Sequence, residues 1–141
     1  MSILSLHYVV FGNNFNKAGE ASSNLKKTLQ ELGYDKDIIR RIVISMYEAE
    51  MNMVLHAGGG IANVDILPDK VTVLTRDNGP GIVDIKKAMQ EGFSTASDAV
   101  RTLGFGAGMG LPNIKKYADE FNIISIPGKG TSMFISVNIK Q

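Results

Sequence analysis

The chain has 141 residues, is 44% hydrophobic and 21% charged, and carries a formal net charge of +1 with no cysteine. That size and apolar content suit one globular domain, residues 1–141, built around one sizeable core. The near-neutral charge gives no electrostatic case for nucleic acid or a membrane surface, and the missing cysteines exclude disulfides, iron–sulfur clusters and thiolate zinc sites.

Residues 3–11 (I-L-S-L-H-Y-V-V-F) predict a β-strand ended by Gly12-Asn13-Asn14. The start of the chain alternates and lacks a basic run, so it does not read as a signal peptide. No apolar run reaches membrane-span length, and a cytoplasmic protein is expected. His7 reads as a packed or surface side chain. Residues 16–32 predict a helix, with Ala21, Leu25, Leu29 and Leu32 at helical spacing and Gly33 as its C-terminal stop. Asp35 suits the N-cap of a second helix reaching about His56. Ile38, Ile42, Met46, Ala49 and Met53 give that helix an apolar face, and Glu48 and Asn52 lie one turn apart beside it. From this helix alone they read as a surface pair, or as a base and a metal ligand facing a bound molecule.

Ala57-Gly58-Gly59-Gly60 breaks the helix. Residues 61–67 and 70–75 predict a hairpin that turns at Pro68-Asp69. The second strand runs into Asp77-Asn78-Gly79-Pro80-Gly81-Ile82, a carboxylate at a strand end followed by turn chemistry. A short helix is predicted over 85–91. Residues 93–102 are small, polar and aperiodic, as in a mobile loop. Then comes L-G-F-G-A-G-M-G-L-P-N-I-K-K-Y, residues 103–117, in which Gly104, Gly106, Gly108 and Gly110 precede a helix predicted over 111–121. A glycine-rich turn at a helix N-terminus offers unpaired N–H groups to phosphate. Two strands, 122–126 and 131–139, close the chain around Pro127-Gly128-Lys129-Gly130. No internal repeat or interdomain linker is present.

The glycine stretch does not fit G-x-G-x-x-G and follows no strand, so a dinucleotide-binding Rossmann unit is not indicated. No G-x-x-x-x-G-K-[S/T], no H-R-D or D-F-G signature and no metalloprotease spacing occurs. What remains is an ordered series: E-x-x-x-N (Glu48, Asn52), D-x-G-x-G (Asp77, Gly79, Gly81), G-x-G-x-G-L (Gly106 to Leu111) and G-x-G-T (Gly128 to Thr131). Each is weak singly; their order resembles the GHKL superfamily of gyrase B, Hsp90, histidine-kinase ATPase domains and anti-sigma-factor serine kinases. The resemblance spans about residues 40–139. E-A-x-x-N-x-x-x-H-A-G-x-G, D-x-G-P-G-I, G-F-S-T and G-M-G-L-P-N-I-K-K sharpen it toward the small switch kinases of stress signalling, with sigma-binding anti-sigma kinases second.

The resemblance implies a Bergerat-type ATP-binding fold: an α/β two-layer sandwich of a mixed, mainly antiparallel sheet with helices on one face. It implies ATP and Mg²⁺, with Asn52 as the metal ligand and Glu48 as the general base. Asp77 would accept the adenine amino group and Thr131 would support it through water, with Gly79 and Gly81 letting the backbone approach the base. Gly104, Gly106, Gly108, Met109, Gly110 and Leu111 would hold the phosphates, and residues 93–105 would form an ATP lid. Arg101 or Lys115 could add charge near the γ-phosphate. His56 matches a position of the pattern and reads as structural. The implied activity is a serine/threonine protein kinase acting on a STAS-domain partner, with a sigma factor or phosphatase as a second partner and a homodimer as an assembly. A sigma-binding anti-sigma protein and a nucleotide-gated binding module are the alternatives. The intact Glu48 speaks against the last.

Overall fold

The structure, a computed structural model, describes residues 2–90 and 110–139. In chain order these form β1 (Leu4–Phe11), α1 (Glu20–Glu31), α2 (Lys36–His56), β2 (Gly59–Ile66), β3 (Lys70–Arg76), α3 (Ile85–Ala88), α4 (Gly110–Tyr117), β4 (Glu120–Ile126) and β5 (Gly130–Asn138). The expected lid, with Arg101, Gly104, Gly106, Gly108 and Met109, lies outside the described residues.

The strands make one five-stranded sheet in the order β1-β2-β3-β5-β4. The sheet was expected to be mixed and mainly antiparallel; every pairing among the described strands is antiparallel. Two hairpins, β2–β3 and β4–β5, supply two of the four pairings. The excursion through α3 and α4 brings β5 back antiparallel beside β3.

Alternation decides which face is covered. Ala62, Val64 and Ile66 of β2, Val71 and Val73 of β3, and Ile135 and Val137 of β5 are fully buried under the helices. Helix α2 supplies the other half of the core. Its predicted stripe is real: Ile42 and Met46 are wholly buried and Met53 nearly so. α2 packs against α1 and α4 and against β1, β2, β3 and β5 of the sheet.

Three helices depart from their expected limits, two of them for identifiable reasons. α1 begins at Glu20, not 16, because Gly19 takes a left-handed φ of 90° and residues 14–19 turn instead. α4 stops at Tyr117, not 121. There the Arg41 side chain donates to Tyr117 O at 2.9 Å, satisfying one of the last carbonyls. Asp119 then joins β5: its N–H donates to Ser136 O (2.8 Å) and its carboxylate accepts Asn138 N–H (2.6 Å). α3 is also shorter than predicted, ending at Ala88 with Asp84 Oδ1 accepting Lys87 N–H at 3.0 Å.

Candidate nucleotide site

Asp77 is the first residue past β3, and the sheet itself holds it. Its N–H donates to Thr131 O at 3.0 Å, and its Oδ1 accepts Thr131 N–H at 3.1 Å. Oδ1 also accepts Gly79 N–H at 2.9 Å. Both backbone donors use one oxygen, which leaves Oδ2 outside these bonds. The carboxylate is buried, at 7% exposure. A buried acceptor with one oxygen locked by the backbone and one left over is what an amino group on a planar ring would need.

The glycines of this turn are required by the protein's own packing. A Cβ on Gly79 would fall 2.6 Å from Ala57 Cα, at the C-terminal end of α2. Gly81 has φ +77°, and a Cβ there would fall 2.6 Å from Ile126 O. The D-N-G-P-G turn is thus pressed between the end of α2 and the end of β4. Any approach of this backbone to a base adds to that requirement.

Glu48 and Asn52 both lie half-buried on α2, one turn apart. Burial pushes the Glu48 carboxyl up from the ordinary carboxylate value, and a hydrogen bond from the Asn113 side chain draws it partly back. Asn113 belongs to α4. At the start of the same helix, a Cβ on Gly110 would lie 3.5 Å from Glu48 Oε2. The carboxylate therefore faces the N-terminal turn of α4, where backbone N–H groups lack helical partners. This is the described end of the glycine stretch expected to hold phosphate. Leu111, expected among the phosphate contacts, is buried in the core at 7% exposure. Its side chain is a packing element, and its backbone N–H is what remains to offer a ligand.

Lys115 does not join Glu48. It stands about 200° around the helix from Asn113 and lines a groove with Ile85, Met89, Ala118 and Phe121. Thr131 is buried, its N–H bonded to Asp77 Oδ1, and its Oγ1 lies 2.9 Å from Ser125 Oγ. Burial lowers the His56 pKa. Among the described residues no group of three His, Asp or Glu side chains could hold a metal alone. Asn52, with its one amide oxygen, fits a magnesium ion that takes its other ligands from phosphate and water.

Glu50 was missed in the sequence. It is buried at 2% exposure on the opposite side of α2 from Glu48. Its carboxylate accepts Gly19 N–H (3.1 Å), Ala21 N–H (3.2 Å), Ser22 N–H (3.0 Å) and the Ser22 hydroxyl (2.5 Å). α1 has no side-chain cap of its own, since Gly19 stands at its N-cap. A residue 28 positions further along from Ser22 caps it instead.

This arrangement defines an ATP-binding module in which one helix carries a candidate base and metal ligand, and a strand end carries a candidate base-binding carboxylate. Residues 35–141 match the model of the histidine kinase-, DNA gyrase B- and HSP90-like ATPases, and the chain belongs to that family. It is 34% identical over 112 residues to the serine/threonine-protein kinase RsbT of Bacillus subtilis, covering 77% of this chain and 78% of that protein. It is 38% identical over 98 residues to an anti-sigma F factor of Caldanaerobacter subterraneus, covering 66% of this chain and 65% of that one. The fold is similar to the crystal structure of the RsbU and RsbW domains of Rv1364c from Mycobacterium tuberculosis. The TM-score is 0.66 at 19% identity, over 98% of this chain and 33% of that one. No described helix is long and apolar enough to cross a membrane.

Proposed function

We propose that this protein is an ATP-dependent serine/threonine kinase of the switch type, which transfers the γ-phosphoryl group of Mg·ATP to a hydroxyl of a STAS-domain partner. The observation that carries this reading is the placing of Glu48: half-buried, held by Asn113, and facing the N-terminal turn of α4. A module that only bound nucleotide would need no carboxylate there.

In this reading Asn52 would hold Mg²⁺ through its side-chain oxygen, and the ion would offset the negative charge of the phosphates. Asp77 Oδ2 accepts the adenine amino group, with Thr131 behind it. The N–H groups at the start of α4 face the phosphates. Glu48 accepts the proton of the attacking hydroxyl as the new O–P bond forms; ADP leaves with the electrons of the broken one. The sequence similarity to the kinase RsbT supports the reaction class. The anti-sigma F relatives support a second reading, in which the same module also holds a sigma factor.

Two experiments test the proposal. Incubation with radiolabelled ATP and the STAS-domain proteins of the same genome should label a serine or threonine of one of them; no transfer to any would sink the kinase reading. Asp77→Ala should lower ATP affinity by roughly 100-fold, since a hydrogen bond to a charged group is worth about 1.5–3 kcal/mol and the turn it orders is lost with it. Calorimetry showing wild-type ATP affinity in that variant would move the base site elsewhere.

A further inference from the structure

Ser125 of β4 pairs with Thr131 of β5, and no motif of the sequence gives it a task. Its oxygen accepts Ile82 N–H at 2.7 Å. It lies 2.9 Å from Thr131 Oγ1 and 3.4 Å from Gly130 O. Ile82 follows the D-N-G-P-G turn and Thr131 follows G-K-G, so one hydroxyl touches both turns that flank Asp77. Those turns are already fastened without it: Gly128 N–H donates to Pro80 O at 2.7 Å, and Thr131 N–H to Asp77 Oδ1 at 3.1 Å. The hydroxyl is surplus to fastening.

A hydroxyl has one proton to donate and two lone pairs to accept with. One lone pair of Ser125 takes Ile82 N–H, and its proton has two destinations. Thr131 Oγ1 at 2.9 Å is in the ordinary range, whereas Gly130 O at 3.4 Å is long for O–H···O. With the proton on the short path, Ser125 donates to Thr131. The proton of Thr131 is then free to donate elsewhere, on a residue whose own N–H is bonded to Asp77 Oδ1.

We infer that Ser125 is a specificity-determining residue: by donating to Thr131 it makes the Thr131 hydroxyl a donor next to the Asp77 acceptor, and the pair selects a purine with a 6-amino group and an unprotonated N1. The inference rests on the reading of Asp77 as the base-binding group. A 6-oxo purine carries the reverse pattern, a carbonyl and an N1–H. It sets acceptor against Asp77 and donor against Thr131. Asp77 opposes the carbonyl whatever Thr131 does. Ser125 adds the second half of the discrimination, because a Thr131 hydroxyl free to rotate can accept N1–H, directly or through a water.

Competition calorimetry with Mg·ATP and Mg·ITP, on the full chain, tests this. ITP differs from ATP at the C6 and N1 edge. Ser125→Ala is expected to lower the ATP-over-ITP preference about three- to tenfold, the worth of one neutral hydrogen bond. Ser125→Thr, which keeps a hydroxyl, should restore the preference. Ser125→Ala added to Thr131→Val should change it no further, since the relay has already lost its far end. A parallel fall in affinity for both nucleotides, with the preference unchanged, would make Ser125 a fastener only and overturn the inference. Failure of the underlying reading looks different: Asp77→Ala would then bind ATP as well as the wild type.

Discussion

Glu48→Gln is expected to slow phosphoryl transfer by about 10²–10⁴-fold while leaving Mg·ATP affinity unchanged. The amide keeps the shape of the side chain and an oxygen for Asn113, so the packing of α2 on α4 survives. What goes is the ability to take a proton. Single-turnover transfer to the labelled partner at the wild-type rate would show that Glu48 is not the base. The pH dependence has a defined sign. A base works only when deprotonated, so the rate should fall as pH drops through the Glu48 pKa. Burial raises that pKa, which places the acid limb above the ordinary carboxylate range. The Asn113 hydrogen bond lowers it, so Asn113→Ala should move the acid limb to higher pH. A limb that stays in place would separate Asn113 from the chemistry.

The largest expected loss of stability comes from the other carboxylate of α2. Glu50→Ala leaves three backbone N–H groups and the Ser22 hydroxyl without their acceptor. A buried donor left unsatisfied costs about 1–3 kcal/mol, and loss of an ordinary N-cap about 1 kcal/mol. Fraying of the first turn of α1 to water limits the sum, so a loss of about 3 kcal/mol is expected in urea unfolding. Glu50→Gln, with one acceptor oxygen kept, should fall between the two. An unfolding midpoint unchanged in Glu50→Ala would mean that α1 is held by Leu25 and Leu29 alone.

What the sequence made legible was whatever depends on period or on local spacing. The apolar stripe of α2 has a period, and so do the alternating strands. In the motif series, E-x-x-x-N lies in the second half of α2, D-x-G-x-G follows β3 and G-x-G-T leads into β5. The partners of Glu50, Ser125 and Asn113 were not legible for a common reason. Each makes its contact across 6 to 65 residues of chain, where no local pattern records it. Glu50 also resembles an ordinary solvated helix residue in composition, two places from the more conspicuous Glu48. The limits of α4 were missed because the Arg41 and Asp119 contacts that end it are tertiary. The motif position of Leu111 did not record that its side chain packs into the core.

The two carboxylates of α2 fix its phase. Glu48 and Glu50 are two residues apart, so they point about 200° away from each other. One faces the start of α4 and the other the start of α1. A single residue inserted or deleted between them would rotate everything beyond it by about 100° and shift it by about 1.5 Å along the axis. The base or the cap would be lost, and Asn52 could not stay in register with Glu48. The stretch from Glu48 to Asn52 is therefore expected to tolerate no change of length. The Pro68-Asp69 turn, exposed and between two strands of one hairpin, is where added residues should be accepted.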